Sequence, residues 1–233
     1  MSIAAAGLAS PAGAQQTGVG VVTNLTGSAT VARTSNAQPL RFKDSVYGRD
    51  RIATAEKSLL RILLGGKAIV TMRELSELTI TDAGGFAGLE LSGGRMGLSV
   101  ARQLMAPDEA IQIRTPNAVA LVKGSVVIAE VSGGQGAGAV SLFNVLSGPV
   151  EVAAGVASVN VGSRQRVRVS GGTLGAVEDL SPEDVSRLAT QLKSAEPQHT
   201  DVANEFQEGL TAREQTRALS KTAPRTSVLP VDR

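Results

Sequence analysis

The apolar residues of this chain arrive in short runs punctuated by glycine, and that punctuation constrains the fold more than any other feature. Leu59-Leu60-Arg61-Ile62-Leu63-Leu64 stops at Gly65-Gly66 and resumes as Ala68-Ile69-Val70. Val126-Val127-Ile128 follows Gly124, and Val150-Glu151-Val152 follows Gly148-Pro149. Such runs are strand-sized, rich in β-branched residues and bounded by turn formers, which predicts β-strands and tight turns. With 26 glycines and only 2% aromatic residues, the core must be built from Val, Ile, Leu and Ala. The expectation is an all-β body of many short strands and tight turns, with a short helical C-terminal tail. A length of 233 residues allows one or two domains with a real core.

Gly65-Gly66 is a two-residue hairpin signal. Gly93-Gly94, inside LELSGGRMGLS, reads the same way. Ala110–Val131, AIQIRTPNAVALVKGSVVIAEV, reads as two strands joined at Thr115-Pro116-Asn117. Ile111 and Ile113 alternate with Gln112 and Arg114, the period of a half-buried strand. Pro116 lacks an amide donor and belongs at a strand end or edge. The second strand runs through Gly124, where a bulge, a positive φ or a close backbone approach is expected.

The order of these motifs resembles that of FecR-type domains. That family has I-x-T-P-x-A followed by R-G-T-x-F-x-V, against Thr115-Pro116-Asn117-Ala118 and Lys123-Gly124-Ser125-Val126-Val127 here. Its L-x-x-G-D-x-V-x-x-G-D-x-I-x-T pattern falls on residues 40–54, with Lys43-Asp44 for the first G-D. Gly48-Arg49-Asp50 stands for the second, with one residue inserted. Gly48 is expected to take a positive φ, and Asp50 to bond its own turn backbone. The resemblance spans residues 18–173 and implies an extracytoplasmic bacterial protein whose short strands wind into a compact β-sandwich or β-helix-like body. Membrane-bound members regulate an extracytoplasmic sigma factor through a cytoplasmic anti-sigma segment and one transmembrane helix, neither of which is read in this sequence. The resemblance therefore implies a non-enzymatic periplasmic or secreted binding or scaffold module, whose partner is a protein or an anionic envelope polymer. The alternative is a regulatory component of sigma-factor signalling that works through a separate membrane partner.

The ends differ from the body. Ala12-Gly13-Ala14 before Gln15 is a small-x-small cleavage pattern, so residues 1–14 are expected to be a secretory signal, complete or truncated. No later run approaches the roughly 18–20 apolar residues of a membrane span. Ser181-Pro182-Glu183-Asp184 starts a helix expected over 182–194, with Val185, Leu188 and Leu192 at helical spacing. A second helix is expected within 201–220, so that 181–220 forms a helical extension, and 221–233 is polar and expected to be disordered.

Chemistry is scarce. There is no cysteine, which excludes disulfides and thiolate sites. The single His199 lies in a polar linker beside Pro197, and no G-x-S-x-G elbow is present. Gly133–Gly138 lacks the Lys-Ser/Thr of a phosphate loop. Asp44, Asp50 and Asp82 sit in turn-like contexts. No cofactor is expected. The few aromatics and a net charge of +2 argue against nucleic acid. Arg164, Arg166 and Arg168, at period two, form a candidate interaction patch for an anionic partner; the competing reading is a charged solvent face that guards a sheet edge.

Overall fold

The computed structural model describes residues 18–33, 36–83, 86–134 and 138–193. The segments expected to be a signal, a second helix and a disordered tail lie outside the described residues, as does His199. Seventeen strands are described: β1 Gly18–Thr26, β2 Ala29–Ala32, β3 Ala37–Pro39, β4 Ser45–Tyr47, β5 Arg51–Thr54, β6 Leu59–Leu64, β7 Ala68–Met72, β8 Glu77–Ala83 and β9 Phe86–Val100. Then come β10 Ile111–Arg114, β11 Val119–Val122, β12 Val126–Ser132, β13 Val140–Ser147, β14 Val150–Ala154, β15 Ala157–Val161, β16 Gln165–Ser170 and β17 Thr173–Asp179. One helix, α1 Pro182–Leu192, closes the described chain.

The strands form one continuous, unclosed mixed sheet that folds over itself into two layers. The first layer runs β4-β1-β6-β7-β9-β12-β13-β16-β17. The second runs β3-β2-β5-β8-β9-β10-β11-β14-β15. After β9 the hairpins alternate between layers: β10-β11, then β12-β13, then β14-β15, then β16-β17. Only the β9–β10 pairing is parallel among the described residues. Side chains of both layers meet in one core: Ile62, Leu98, Val127 and Phe143 from the first, Ile52, Leu78, Ile113 and Val152 from the second. Alternation along each strand puts these residues inside, since successive side chains point to opposite faces.

The strand β9 belongs to both layers. Its first half pairs with β8 and β10, its second half with β7 and β12. The hairpin expected at Gly93-Gly94 is therefore absent; the chain bends there instead of reversing. Gly94 has φ 83°, and a Cβ on it would collide with Ser76. Ser76 Oγ accepts from Arg95 N at 2.9 Å and lies 3.0 Å from Arg95 O, so the bend is stitched to the start of β8. A double glycine signals a positive φ, and both a turn and a bulged bend can use one.

The hairpin turn at Gly65-Gly66 is present, with φ 57° and 72° and a Lys67 N→Leu64 O bond of 3.1 Å, but Leu64 pairs with Ala68, so Lys67 joins a loop longer than the two residues expected. Leu75, shortly before β8, is an exposed turn residue at φ 52°. Asp82 lies in β8, opposite Ala87, and not in a turn. The strand β17 was not anticipated. Its sequence, TLGAVED, is poor in β-branched residues, and a register shift opposite Val167 and Val169 breaks its alternation.

Residues 40–54 also differ in register from the expectation. Gly48 is not at positive φ; Arg49 is, at 72°, and Lys43 at 69°. The pattern then fits residue for residue with nothing inserted: Lys43 and Arg49 occupy the two glycine positions, each before an aspartate. The two turns repeat each other. Asp44 Oδ2 accepts from Arg41 N at 2.7 Å, and Asp50 Oδ2 from Tyr47 N at 2.9 Å. Each turn clasps one residue of a neighbouring strand by two backbone bonds. Lys43 N donates to Val22 O while Val22 N donates to Asp44 O, both at 2.9 Å. Arg49 N donates to Ile80 O at 2.6 Å while Ile80 N donates to Asp50 O at 3.0 Å. Asp50 is buried and also holds Arg33, whose Nε lies 3.0 Å from its Oδ1.

Candidate functional site

Thr115-Pro116-Asn117 joins β10 to β11, and its polar atoms face inward. Thr115 N donates to Ala118 O at 2.9 Å. Ser141 Oγ, on β13, lies 2.8 Å from Thr115 Oγ1 and 2.5 Å from Asn117 Oδ1. Asn117 Nδ2 donates to Ala139 O at 2.7 Å and to Val169 O at 3.1 Å. This buried network ties a hairpin of the second layer to β13 and β16 of the first, and buried polar groups need such partners. Gly124 is likewise architectural. The strand expected to run through it is two strands, β11 and β12, and Lys123–Ser125 carries the chain from one layer to the other. Gly124 has φ 135°, and a Cβ there would sit 2.5 Å from Arg102 Cδ and 3.1 Å from Arg102 Cα. Arg102 begins a short 3-10 turn, and its Nη1 donates to Lys123 O at 2.9 Å. Gly48, Asp50, Thr115, Pro116 and Gly124 thus shape turns and layer crossings, and none of them lines the two cavities beside α1.

The arginine triplet is split. Arg164 lies in the β15–β16 turn at φ 60°, off the strand, because its N–H and C=O are taken by Val145 O and Leu180 N. Arg166 and Arg168 are on β16 and point outward. This strand is internal, between β13 and β17, so these residues guard no edge.

Outward residues of the first layer make a seat for α1. In register across β6, β7, β9, β12, β13 and β16, Arg61, Thr71, Gly97, Ile128, Asn144 and Arg166 form one row. A side chain at Gly97 would collide with Leu192, so glycine makes room for the helix. Leu188 packs on Ile128 and Leu180, with Val185, Leu192 and Leu146 around them. Ser181 caps the helix, accepting from Asp184 N at 3.1 Å, with Pro182 in the first turn. At the other end the Arg61 guanidinium donates to Leu192 O. Burial lowers the Arg61 pKa from its ordinary value. Its Nε, and Asn24 Oδ1 across the β1–β6 pair, have no hydrogen-bond partner among the described residues.

Beside the helix, this seat opens into two adjoining cavities that share Leu142 and Arg166. One, of about 320 Å³, lies against α1 and is lined by Arg95, Glu130, Asn144, Asp184, Arg187 and Gln191 among others. The second, of about 260 Å³, adds Arg168, Gly175, Ala176 and Glu178. Most charges are matched within the groove. Arg95 Nη2 lies 2.9 Å from Glu130 Oε2, and Arg95 Nη1 donates to Gln191 Oε1 at 3.3 Å. Arg166 reaches Glu178 at 2.8 Å, and Arg187 pairs with Asp184. Arg168 has no acidic partner among the described residues. Sequence reading missed Arg95, because Gly93-Gly94 read as a turn, and Glu130, hidden in an apolar run. Asp184, Arg187 and Gln191 recur at helical spacing, so that polar stripe was legible.

Among the described residues no group of three His, Cys, Asp or Glu side chains could hold a metal ion, and no helix is long and apolar enough to cross a membrane. Residues 50–157 match the family model described as FecR protein. The chain carries a FecR domain. It runs from the Asp50 turn through β9 and Gly124 to the start of β15, straddling both layers. Two crystal structures of a putative anti-sigma factor from Parabacteroides distasonis ATCC 8503, at 1.65 and 2.50 Å, share the fold with a TM-score of 0.50. They are 14% and 13% identical to this chain over 60% of it, and the match spans 64% and 63% of those chains, less than two thirds of their length. No curated protein matches this chain.

Proposed function

We propose that this chain is a non-enzymatic, extracytoplasmic regulator that binds a protein partner and takes part in sigma-factor signalling through a separate membrane component. The observation that carries this is the FecR domain, set in a fold shared with a protein described as an anti-sigma factor candidate. The groove beside α1 suits a protein partner better than an anionic polymer. A polymer needs several unpaired cations, whereas Arg95, Arg166 and Arg187 are each matched by a carboxylate. A mixed-charge groove with a floor of Leu142, Leu180 and Leu188 resembles the polar rim and apolar centre of a protein interface.

The test is in the native host. A photo-crosslinking residue in place of Arg168 should capture one discrete envelope protein, while the same residue at Gln38 on β3 should not. Deleting the chain should change transcription from an extracytoplasmic-function sigma promoter by several-fold, and Arg166→Glu with Arg168→Glu should reproduce the change. Unaltered sigma-dependent transcription on deletion would overturn the signalling role.

A further inference from the structure

The two layers end in four strands, and these are not equally protected. Edge strands expose unpaired N–H and C=O groups, and natural proteins blunt them with short length, proline, charge or a bulge. In the first layer, β4 has three residues and leans on the Asp44 turn, and β17 carries a register shift and ends in Glu178-Asp179. In the second, β3 has three residues and includes Pro39. The fourth, β15, is Ala157-Ser158-Val159-Asn160-Val161, with no charge, no proline and no register irregularity against β14. Its first two residues and Asn160 are exposed, and Val156 at the tip of its hairpin is fully exposed.

We propose that β15 pairs antiparallel with β15 of a second copy of this chain across a two-fold axis at Val159. The β14–β15 turn has two residues, Gly155 at φ 58° and Val156, with Ala154 opposite Ala157. Antiparallel alternation then turns the backbone groups of Ala157, Val159 and Val161 toward β14, and those of Ser158 and Asn160 outward. About the axis, Ser158 faces Asn160 of the other copy, so the outward groups form four reciprocal N–H···O=C bonds. Val159 faces its own counterpart, and no like charges oppose each other. The exposed Val156 falls opposite Gly162, which has no side chain to obstruct it. The carboxylates of the nearby β17 are occupied: Glu178 by Arg166, Asp179 by Gln165 Nε2 at 3.0 Å. One five-residue strand makes a small contact, so the dimer is weak, with self-association in the micromolar range or above.

Sedimentation equilibrium of the full chain from about 1 to 300 μM should show the average mass rising toward twice that of the monomer. Ser158→Pro removes an outward N–H without touching the β14 ladder, and Asn160→Lys sets like charges into the interface. Both should remain monomeric at the highest concentration with an unchanged far-UV spectrum. The chain lacks cysteine, so Val159→Cys adds a lone thiol that should give a covalent dimer on mild oxidation, its Cα atoms about 4.5 Å apart in a non-hydrogen-bonded pair. Ala157→Cys, opposite Val161, should not. A chain monomeric throughout, or a dimer insensitive to Ser158→Pro and Asn160→Lys, would refute the pairing.

Discussion

Replacing Gly124 by alanine tests whether the crossing between layers depends on a residue without a side chain. Two costs add. A residue bearing Cβ must be held at φ 135°, a region that costs about 1–3 kcal/mol. The new methyl also meets Arg102 Cδ at 2.5 Å, Cβ at 2.6 Å and Cα at 3.1 Å. A flexible Cδ can move, but a backbone Cα cannot without shifting the 3-10 turn and the Arg102–Lys123 bond. Overpacking of this kind costs about 1–3 kcal/mol. A total near 3 kcal/mol corresponds to about 6–12 °C in Tm for a domain of this size. Gly171→Ala is the internal control: φ is 58° and nothing lies within 4 Å of the added Cβ. It carries the conformational cost alone, about 1–2 kcal/mol. Thermal and urea melts followed by far-UV circular dichroism compare the two. If Gly124→Ala loses no more stability than Gly171→Ala, the close approach of Arg102 is irrelevant and the reasoning fails.

Two further outcomes follow from the same structure. Arg49→Gly should stabilise the chain by about 0.5–1 kcal/mol, the left-handed penalty of a side-chain-bearing residue less the entropy that glycine adds to the unfolded chain; a fall in urea midpoint would contradict this. The Glu109 carboxyl is held below its ordinary range by the Lys67 hydrogen bond first and the Ala106 amide second, with Lys67 Nζ at 2.5 Å. A depressed folded pKa contributes stability above the ordinary glutamate value and loses it as pH falls through the folded value. Glu109→Gln should therefore flatten the stability profile in the acid range just below that ordinary value while changing its slope little at neutral pH, as pH-dependent urea melts will show.

What was legible in the sequence was local. Gly65-Gly66, the Thr115-Pro116 turn, the Ser181-Pro182 helix start and the alternation at Ile111 and Ile113 all depend on residues within a few positions of each other. Which layer a strand joins is not local. Gly94 and Gly124 announce a special backbone, yet only the distant partners Ser76 and Arg102 turn the first into a bend and the second into a crossing. Arg49 hid the register of the second aspartate turn, because an arginine occupies the conformation that glycine usually marks. The groove was half visible: the stripe on α1 could be read, but the row from Arg61 to Arg166 exists only through the register of six strands.

The double membership of β9 has a consequence for biosynthesis. Among the described residues every strand from β1 to β8 pairs within that set or with β9, and every strand from β10 to β17 does likewise. A nascent chain that has just delivered Val100 can therefore complete an amino-terminal half whose last strand shows one open flank in each layer. Those two flanks, Gly88–Glu90 waiting for β10 and Gly94–Ser99 waiting for β12, are templates that any passing extended segment can occupy. Until the following thirty or so residues arrive, the half-built sandwich is most exposed to mispairing along its own spine.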